Sequence, residues 1–376
     1  IVGGIARLEG EPVMVIGRRY DVNPDSKFFG RITQKTETIE GISTVFDHAY
    51  ELLDGAICTH TTLTAADGSF SNKDVWQNML TGAELKTVEQ LGVTLETGHD
   101  RLGRKTLEML APHTPSQASR THSYQLADKL GAAVQTRTVA ANGAATLTKM
   151  DGMSRKSAVE VQDMDAAGQP MRPVYGAKYD GLGQLAEETS TDWLDGRPYS
   201  LVTRYTYDDW GNRQETIGPD GVTNQDQTDP IALTQTQGMQ GAGKTVTSLN
   251  AFGKHDSVER FDRNGNSIGR TEYLYDGLGR CVQQIDPLGR ATRYEYDFAD
   301  RLILTQLPDG TKIRKAFVPH STENLATHIW VNDYLAGQRS YDGLLRVTSL
   351  TVGGRTETFT YEGAQPSPAT HATASG

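Results

Sequence analysis

Tyr275-Asp276-Gly277-Leu278-Gly279-Arg280 decides the fold, because its pattern recurs along the chain. An aromatic residue precedes Asp, Gly stands three residues after that Asp, and Arg, Asn or Gln follows at the fourth position. The clearest further copies are Tyr179-Asp180 with Gly183, Tyr207-Asp208 with Gly211, and Phe261-Asp262 with Gly265. Weaker copies start at Asp100, Asp151, Asp165, Asp286, Asp297 and Asp342. Such a short period predicts a repeat protein whose units bury apolar surface against their neighbours.

Each copy has the chemistry of a tight turn. An Asp at the first position accepts backbone N–H groups of its own turn, and a Gly three residues later adopts positive φ without a Cβ clash. The copy at Asp286 follows this rule with Gly289, whereas the copies at Asp297 and Asp342 carry Asp300 and Leu345 in place of Gly. The sequence therefore predicts regular turns at most copies and open or bulged turns at Asp297 and Asp342.

The residues before each Asp alternate as in a β-strand. A second aromatic residue stands two positions before the first, which places both on one face of a sheet. These pairs are Tyr205 with Tyr207, Tyr273 with Tyr275, Tyr294 with Tyr296, and Phe359 with Tyr361, and Tyr341 precedes Asp342. Between Asp276 and Asp297, one whole unit is predicted as strand 281–285, turn 286–289 and strand 290–296. The predicted fold class is all-β, built from successive hairpins.

The strength of the repeat predicts three regions. Residues 1–98 form a β-rich region of weaker repeat character, residues 99–363 the repeat array, and residues 364–376 a flexible tail rich in Pro, Ala and Thr. Within the array, residues 225–245 are interpreted as a longer insertion. In the first region, strands are predicted over residues 11–20 and 31–46.

A helix is predicted over residues 72–92. Val75, Met79, Leu85, Val88 and Leu91 recur there at loosely helical spacing.

Composition favours a thin, extended protein over a compact enzyme. Among 376 residues, 36% are hydrophobic, and 39 are Gly and 15 Tyr. The formal net charge is −10 and no basic block occurs, so a nucleic-acid partner is not expected. No apolar run approaches the roughly 18 residues that cross a bilayer, so no membrane span is expected, and no leader segment is visible.

One segment matches a nucleotide-binding motif by letter. Residues 238–245 read Gly-Met-Gln-Gly-Ala-Gly-Lys-Thr, the phosphate-loop pattern, which requires a buried strand before it and a helix after it. Polar residues 235–237 and residues 246–250 fit neither requirement. The nine histidines lack zinc spacing, and Cys58 and Cys281 are interpreted as unpaired thiols. The sequence therefore predicts no cofactor, no metal and no enzymatic activity.

The repeats resemble the RHS/YD-repeat family. The resemblance rests on the Tyr-Asp-x-x-Gly-Arg/Asn units together with Asp-Pro-Leu-Gly-Arg at residues 286–290 and Pro-Asp-Gly-Thr at residues 308–311, and it is strongest over residues 151–363. This family includes the B/C components of insecticidal toxin complexes, bacterial polymorphic toxins and, more distantly, teneurins. The resemblance implies a spiralling sheet that forms part of a hollow shell around a toxin effector.

The resemblance also implies partners and a location. The partners would be an enclosed toxin polypeptide, other segments or subunits of the shell, and a delivery component, and the chain would be secreted or extracellular. The aspartyl self-cleavage motif that closes family shells does not follow Tyr361. We therefore expect one piece of a shell, without the protease or the toxin. The alternative is a cell-surface adhesion or carbohydrate-binding module, since exposed tyrosines stack on sugars.

Overall fold

The computed structural model describes residues 2–3, 7–8, 11–12, 14–126 and 134–374. Every regular element in those ranges is a β-strand, so the all-β prediction is confirmed. The chain divides into two units. Unit 1 comprises Ile1–Ala118 and Thr292–Gly376, and unit 2 comprises Ser119–Ala291. The predicted division at residues 98 and 363 follows repeat character instead, and it stays a prediction.

The strands are short and follow one another through tight turns. The first part of unit 1 contains β1 Val2–Gly3, β2 Arg7–Leu8, β3 Glu11–Pro12, β4 Val15–Tyr20, β5 Ile32–Ile39, β6 Ile42–Leu53, β7 Ala56–Thr64, β8 Phe70–Asn78, β9 Glu84–Glu89, β10 Thr94–His99 and β11 Lys105–Leu110. Unit 2 contains β12 Ala118–Gln125, β13 Val134–Val139, β14 Ala145–Met150, β15 Lys156–Gln162, β16 Met171–Tyr179, β17 Leu185–Leu194, β18 Arg197–Tyr207, β19 Arg213–Ile217, β20 Thr223–Asp229, β21 Thr234–Met239, β22 Lys244–Leu249, β23 His255–Phe261, β24 Ser267–Tyr275 and β25 Cys281–Ile285. The second part of unit 1 contains β26 Ala291–Tyr296, β27 Leu302–Gln306, β28 Lys312–Phe317, β29 Ala326–Val331, β30 Tyr334–Tyr341, β31 Val347–Val352, β32 Arg355–Thr360 and β33 Thr370–Thr373.

The strands form antiparallel meanders. In unit 2, each strand from β12 to β25 pairs with the next strand in the chain, for example Tyr275 opposite Cys281 and Glu272 opposite Ile285. In unit 1, consecutive pairing joins β4 to β5, β8 to β9, and β31 to β32 in the same way, and β1 adds to β4. Strand β25 ends where the sequence predicts, and β26 starts one residue later than predicted.

The predicted helix at residues 72–92 is wrong. This segment forms β8 and β9, which pair with each other and place Trp76 opposite Lys86. Asn78 starts the hairpin turn between them, because its side-chain oxygen accepts the N–H groups of Leu80 and Thr81 at 2.9 and 3.1 Å. Val75, Thr87 and Val88 are β-branched and fit a pleated sheet, so cross-strand pairing prevails over the loose helical spacing.

Two further expectations about irregular segments are corrected. Residues 225–245 are not an insertion but lie largely in β20, β21 and β22, because their Thr and Gln residues pair as regularly as the repeats do. The tail predicted as flexible contains β33, which pairs with β32 through Phe359 opposite His371. Stacking of these two rings, with centroids 4.9 Å apart, adds to that pairing.

The turns at Asp297 and Asp342 are closed, which corrects the expectation of open turns. Asp300 N–H donates to Asp297 O at 3.2 Å, and Leu345 N–H donates to Asp342 O at 3.0 Å. Asp300 and Leu345 adopt φ of 60° and 66°, the region that Gly occupies in the regular copies and Ser154 in the copy at Asp151. A bulge accompanies both turns, but the regular turns have it too, because a type I turn followed by a left-handed residue creates one.

Little of the chain is fully buried. The buried hydrophobic residues of the described ranges are Ile39, Ala56, Cys58, Ala65, Ala145 and Val318. The accessible surface is 23,690 Å², against roughly 14,700 Å² expected for one compact protein of this mass. Much more surface is therefore exposed than in an ordinary enzyme of this size.

Candidate functional site

The repeated turns of unit 2 lie at two edges of its meander. Because each strand reverses the previous one, successive hairpin turns fall at alternate edges. The turns that start at Asp151, Asp180, Asp208, Asn250 and Asp276 lie at one edge, which we call the clamp edge. The copies at Asp262 with Gly265 and at Asp286 with Gly289 lie at the opposite edge.

The turn at Asp276 shows the shared geometry. Gly279 N–H donates to Asp276 O at 3.0 Å, with Gly279 at φ 78°. Asp276 Oδ1 accepts the N–H groups of Leu278 and Arg280 at 2.9 and 3.0 Å. Asp276 Oδ2 accepts Arg280 Nε at 2.7 Å, so the carboxylate fixes both the turn and the guanidinium. We call this Asp-Arg arrangement a clamp.

The clamp recurs wherever Arg follows Asp at the fourth position of a described turn. It joins Asp100 to Arg104, Asp151 to Arg155, Asp286 to Arg290, Asp297 to Arg301, and Asp342 to Arg346. In the copies at Asp208 and Asp262, Asn212 and Asn266 donate from Nδ2 at 3.2 and 3.1 Å instead. Asp180 holds only backbone N–H groups, those of Leu182 and Gln184.

A lock joins three of the clamp-edge turns, those at Asp180, Asp208 and Asp276, to the preceding turn on that edge. The Tyr hydroxyl before one turn donates to the carbonyl five residues after the start of the preceding turn on that edge. Tyr179 donates to Lys156 O at 2.9 Å, Tyr207 to Leu185 O at 2.8 Å, and Tyr275 to His255 O at 2.8 Å. In unit 1, Tyr361 donates to Val347 O in the same way at 2.8 Å.

The clamp arginine strengthens this lock. The Arg155 guanidinium lies 4.2 Å from the Tyr179 ring centroid, and Arg346 lies 4.4 Å from the Tyr361 ring. In these two clamps, the Asp holds its Arg over the ring of the next repeat, within the range of a cation–π interaction. The predicted pattern of Tyr, Asp and Arg therefore describes a connection between repeats as well as a turn.

The predicted aromatic face lies on the half-buried side of alternating strands. Tyr205, Tyr207, Tyr273 and Tyr275 are half-buried, whereas the intervening Thr206 and Leu274 are exposed. Tyr294, Tyr296, Phe359 and Tyr361 follow the same alternation in unit 1. Tyr341 is also half-buried and donates to Ala326 O at 3.2 Å.

Charged groups are interleaved with this face in unit 2. Tyr205 donates to Glu188 Oε1 at 2.9 Å, and Arg213 lies 4.1 Å from the Tyr205 ring centroid. Lys156 lies 4.1 Å from the ring of Tyr175. Burial, followed by the negative charge of Glu188, raises the pKa of Tyr175, and burial with the Glu188 hydrogen bond raises that of Tyr205. Both phenols therefore stay protonated and available as donors.

Other turns escaped the sequence pattern because they lack the Asp. Asn250 replaces Asp and still accepts the N–H groups of Phe252 and Lys254 at 3.0 Å. The repeat turns close with two backbone hydrogen bonds: the N–H of the fourth residue donates to the carbonyl of the first, and the N–H of the first donates to the carbonyl of the fifth. The same two bonds close the turns that start at Ala65, Glu89, Ala140, Gly218 and Leu307. The Gly at the fourth position was the signal that could have identified them. Conversely, the predicted copy at Asp165 does not start such a turn. Asp163 starts a longer loop there, and its Oδ1 accepts the N–H of Asp165 at 3.1 Å.

The phosphate-loop match is a β-hairpin. Residues 238–245 connect β21 to β22, and Lys244 begins a strand opposite Gly238. Ala242 N–H donates to Met239 O at 3.0 Å, so this group closes the hairpin turn. The strand-to-helix context that a phosphate cradle requires is not present in this described segment.

No group of three or more His, Cys, Asp or Glu side chains in the described residues is arranged to hold a metal ion. Cys58 and Cys281 are free thiols, and burial, with Asp74 and Glu51 nearby, raises the pKa of Cys58 to about 11. No helix of the described chain is long and apolar enough to cross a membrane.

Hydrogen bonds within the repeat turns favour the charged form of several Asp carboxylates. The side-chain hydrogen bond from the following Arg lowers the pKa of Asp151 and Asp286, and the backbone N–H of Arg280 does so first for Asp276. At Asp262, the Asn266 side chain has this effect. At Asp100 and Asp208, desolvation raises the pKa, but the hydrogen bonds of each turn outweigh it.

We expect the protein to lose stability when the pH falls below about 4. The pKa of these carboxylates is lower in the folded protein than in the unfolded chain. Their contribution to the free energy of unfolding is therefore complete above the pKa of the unfolded chain, and it is lost as the pH falls through the pKa of the folded protein. Urea unfolding at pH 7 and pH 3 measures this. A triple variant, Asp151→Asn, Asp276→Asn and Asp286→Asn, keeps the turn acceptor, as Asn250 does, and should show a smaller difference between the two pH values. An unchanged difference would contradict the assignment.

Comparison with known proteins agrees with the repeat pattern. The family model described as RHS Repeat matches residues 260–312, which confirms the resemblance drawn from the sequence. That segment contains the turns that start at Asp262, Asp276, Asp286 and Asp297. No curated protein matches the chain.

Two solved structures resemble most of the chain at low identity. The crystal structure of TcdB2-TccC3-Cdc42 is 13% identical with a TM-score of 0.40, covering 96% of this chain and 27% of that one. The Photorhabdus luminescens Tc holotoxin pore is 12% identical with a TM-score of 0.40, covering 94% of this chain and 26% of that one. The chain spans about a quarter of the length of these structures, so the activities and partners of the whole proteins are not assigned to it.

Proposed function

We propose that the chain is a non-enzymatic segment of an RHS-repeat shell that encloses a polypeptide effector. The RHS Repeat match and the antiparallel meanders support a structural role. In this role, the partners are the enclosed polypeptide, further shell segments or subunits and a delivery component, and the location is a secreted toxin complex.

The lock between repeats is the observation that carries the proposal. Tyr179, Tyr207 and Tyr275 each fasten one clamp-edge turn to the preceding one, so successive hairpins are held at a fixed spacing. Such a sheet maintains its surface without a large apolar core. The wall of a shell must hold a large surface in a fixed form. An enzyme instead needs a single active site, which a repeated arrangement does not provide.

The half-buried aromatic side suits contact with a non-native polypeptide. Tyrosine rings contact apolar and polar groups alike and demand no particular sequence. The charges interleaved with them, Lys156, Glu188 and Arg213, are matched by neighbouring rings and hydroxyls. Such a surface favours confinement of a chain over specific binding.

The geometry does not favour the carbohydrate-binding alternative. Sugar stacking needs an open ring face, but Arg213 covers Tyr205 and Arg155 covers Tyr179 at 4.1 and 4.2 Å. The hydroxyls of Tyr205 and Tyr179 are also engaged, with Glu188 and Lys156 O.

Protease protection tests the proposed function. We expect an unfolded polypeptide fused after Gly376 to be digested by trypsin several-fold more slowly than the same polypeptide alone, with the sample kept dilute. A fusion to an unrelated β-protein of similar size serves as the control. Equal digestion in both fusions would overturn the proposal. Binding on a glycan array that is lost in Tyr205→Ala would favour the alternative.

A further inference from the structure

Glycines at the second position of three clamp-edge turns have no local explanation. Gly152, Gly181 and Gly277 follow Asp151, Asp180 and Asp276 directly. A Cβ on any of these glycines would meet nothing within 4 Å, and their φ values lie outside the left-handed region. Neither the turn nor the described surroundings therefore require Gly, although Gly weakens the folded state relative to Ala.

A fourth copy in unit 1 shows what the glycine serves. In Asp342-Gly343-Leu344, the Gly343 N–H donates to Asp67 Oδ2 at 2.6 Å. A Cβ on Gly343 would overlap Asp67 Oδ1 and the Cβ of Ala65. The glycine thus allows a second hairpin end, residues 65–69, to approach the turn backbone and accept its N–H.

The third residue of the turn is covered at Asp342, whereas the corresponding Leu102 in unit 1 and Leu288 at the opposite edge of unit 2 are exposed by 72% and 75%. Leu344 is half-buried and lines a cavity of about 270 Å³ together with Ile39, Phe46 and Leu63. At this position, the clamp-edge turns of unit 2 and the hairpin at residues 230–233 expose a large apolar side chain by 66% to 89%. These residues, which we call the apolar ridge, are Met153, Leu182, Trp210, Ile231, Phe252 and Leu278.

The ridge contains a space of suitable size for a partner. Between neighbouring turns, Phe252 and Leu278 line an open groove of about 610 Å³ together with Tyr273. Exposed apolar side chains that continue along one edge indicate an interaction surface.

The covering partner in unit 1 has a recognisable chemistry. Asp67 uses Oδ1 for its own turn, accepting Ser69 N–H at 2.9 Å, and offers Oδ2 to Gly343. The turns with Asp220-Gly221 and Asp309-Gly310 have the same design, since Oδ1 accepts Val222 N–H at 3.0 Å and Thr311 N–H at 2.9 Å. Asp220 and Asp309 are exposed. The chain therefore carries glycine-bearing turns and the Asp-Gly hairpin ends that fit them.

We propose that the clamp edge of unit 2 is a docking edge for the Asp-Gly hairpin ends of a second YD-repeat meander. The Gly181 and Gly277 N–H groups donate to its carboxylates, and the apolar ridge packs on its strands, as Gly343 and Leu344 do in unit 1. This inference rests on the proposed shell function, in which further segments of the wall supply that second meander.

Self-association of the full chain tests the proposal, because a second copy offers the required hairpin ends. We expect association in sedimentation up to about 1 mM, the effective concentration of neighbouring modules on one chain. The amide hydrogens of Gly181 and Gly277 should become protected from exchange as the complex forms. Gly343 serves as the internal reference, protected at every concentration.

Matched variants separate docking from unspecific adhesion. We expect two double variants to lower the association constant by about tenfold or more each. One combines Gly181→Ala with Gly277→Ala, and the other combines Leu182→Ser with Leu278→Ser. Leu80→Ser is the control, because Leu80 is 95% exposed on a hairpin without the Asp-Gly-Leu sequence. Retained thermal stability of each variant confirms that it folds.

Three results would overturn the inference. The first is a protein that stays monomeric at every concentration. The second is amide hydrogen exchange at Gly181 and Gly277 that stays fast in the complex. The third is an association constant that the leucine variants lower and the glycine variants leave unchanged. The protease test of the proposed function uses dilute protein, so either proposal can fail without the other.

Discussion

Replacing Arg301 by Met is expected to lower the free energy of unfolding by about 3–5 kcal/mol. Arg301 is 7% exposed and is clamped by Asp297 Oδ2 at 2.7 Å. Its Nη1 also donates to Val318 O at 3.2 Å and Ser321 O at 2.6 Å. Met fills the space over the Phe317 ring, which lies 4.8 Å from the guanidinium, but leaves a largely buried carboxylate and two carbonyls without these donors.

The matched control is Arg290→Met. Arg290 makes the same clamp with Asp286 at 2.7 Å, but its side chain is 60% exposed, so water replaces the lost hydrogen bonds. The expected change is within about 1 kcal/mol. Urea unfolding followed by circular dichroism measures both variants. Similar losses in the two would show that burial does not set the strength of the clamp.

Gly343→Ala is expected to destabilise the fold by about 1–3 kcal/mol. The added methyl group meets Asp67 and Ala65, so the turn must move away and the hydrogen bond from Gly343 N–H to Asp67 Oδ2 weakens. Desolvation raises the pKa of Asp67, but the bonds from Ser69 and Gly343 outweigh it and leave the pKa below its ordinary value. The contribution of the Asp67 carboxylate to the free energy of unfolding is therefore complete above its pKa in the unfolded chain. It disappears as the pH falls through its pKa in the folded protein.

Gly181→Ala provides the comparison for this effect. Gly181 holds the same place in its turn with open space around it, so alanine should leave stability unchanged or raise it by up to about 1 kcal/mol. Thermal unfolding of the two variants side by side measures the difference. A stable Gly343→Ala protein would mean that the hairpin ends do not approach as closely as the structure shows.

The sequence predicts local structure well where the turn chemistry is complete. Strand 281–285 agrees with β25, and the Asp-x-x-Gly copies other than that at Asp165 form the predicted turns, because Asp and Gly act within four residues of each other. The helix over residues 72–92 failed, since apolar spacing there is also compatible with β8 and β9, and only pairing with β7 decides between them.

Long-range contacts of the candidate site were beyond sequence reasoning. Nothing near Arg301 indicates that Val318 and Ser321 bury it, whereas Arg290, which follows its Asp at the same spacing, stays exposed. The partner of Gly343 is Asp67, far away in the chain. The sequence shows only one partner of the lock, the Tyr before the Asp, because the carbonyl that its hydroxyl reaches belongs to the preceding repeat.

Consecutive pairing in unit 2 has a mechanical consequence. Each strand from β12 to β25 is bonded to its sequence neighbour through a short turn. Tension applied along the backbone would reach these ladders one after another, starting from the end, because the described strands of unit 2 pair with their neighbours in the chain. A polypeptide arranged in this way can be drawn out in small steps, each opposed by a single ladder and its tyrosine.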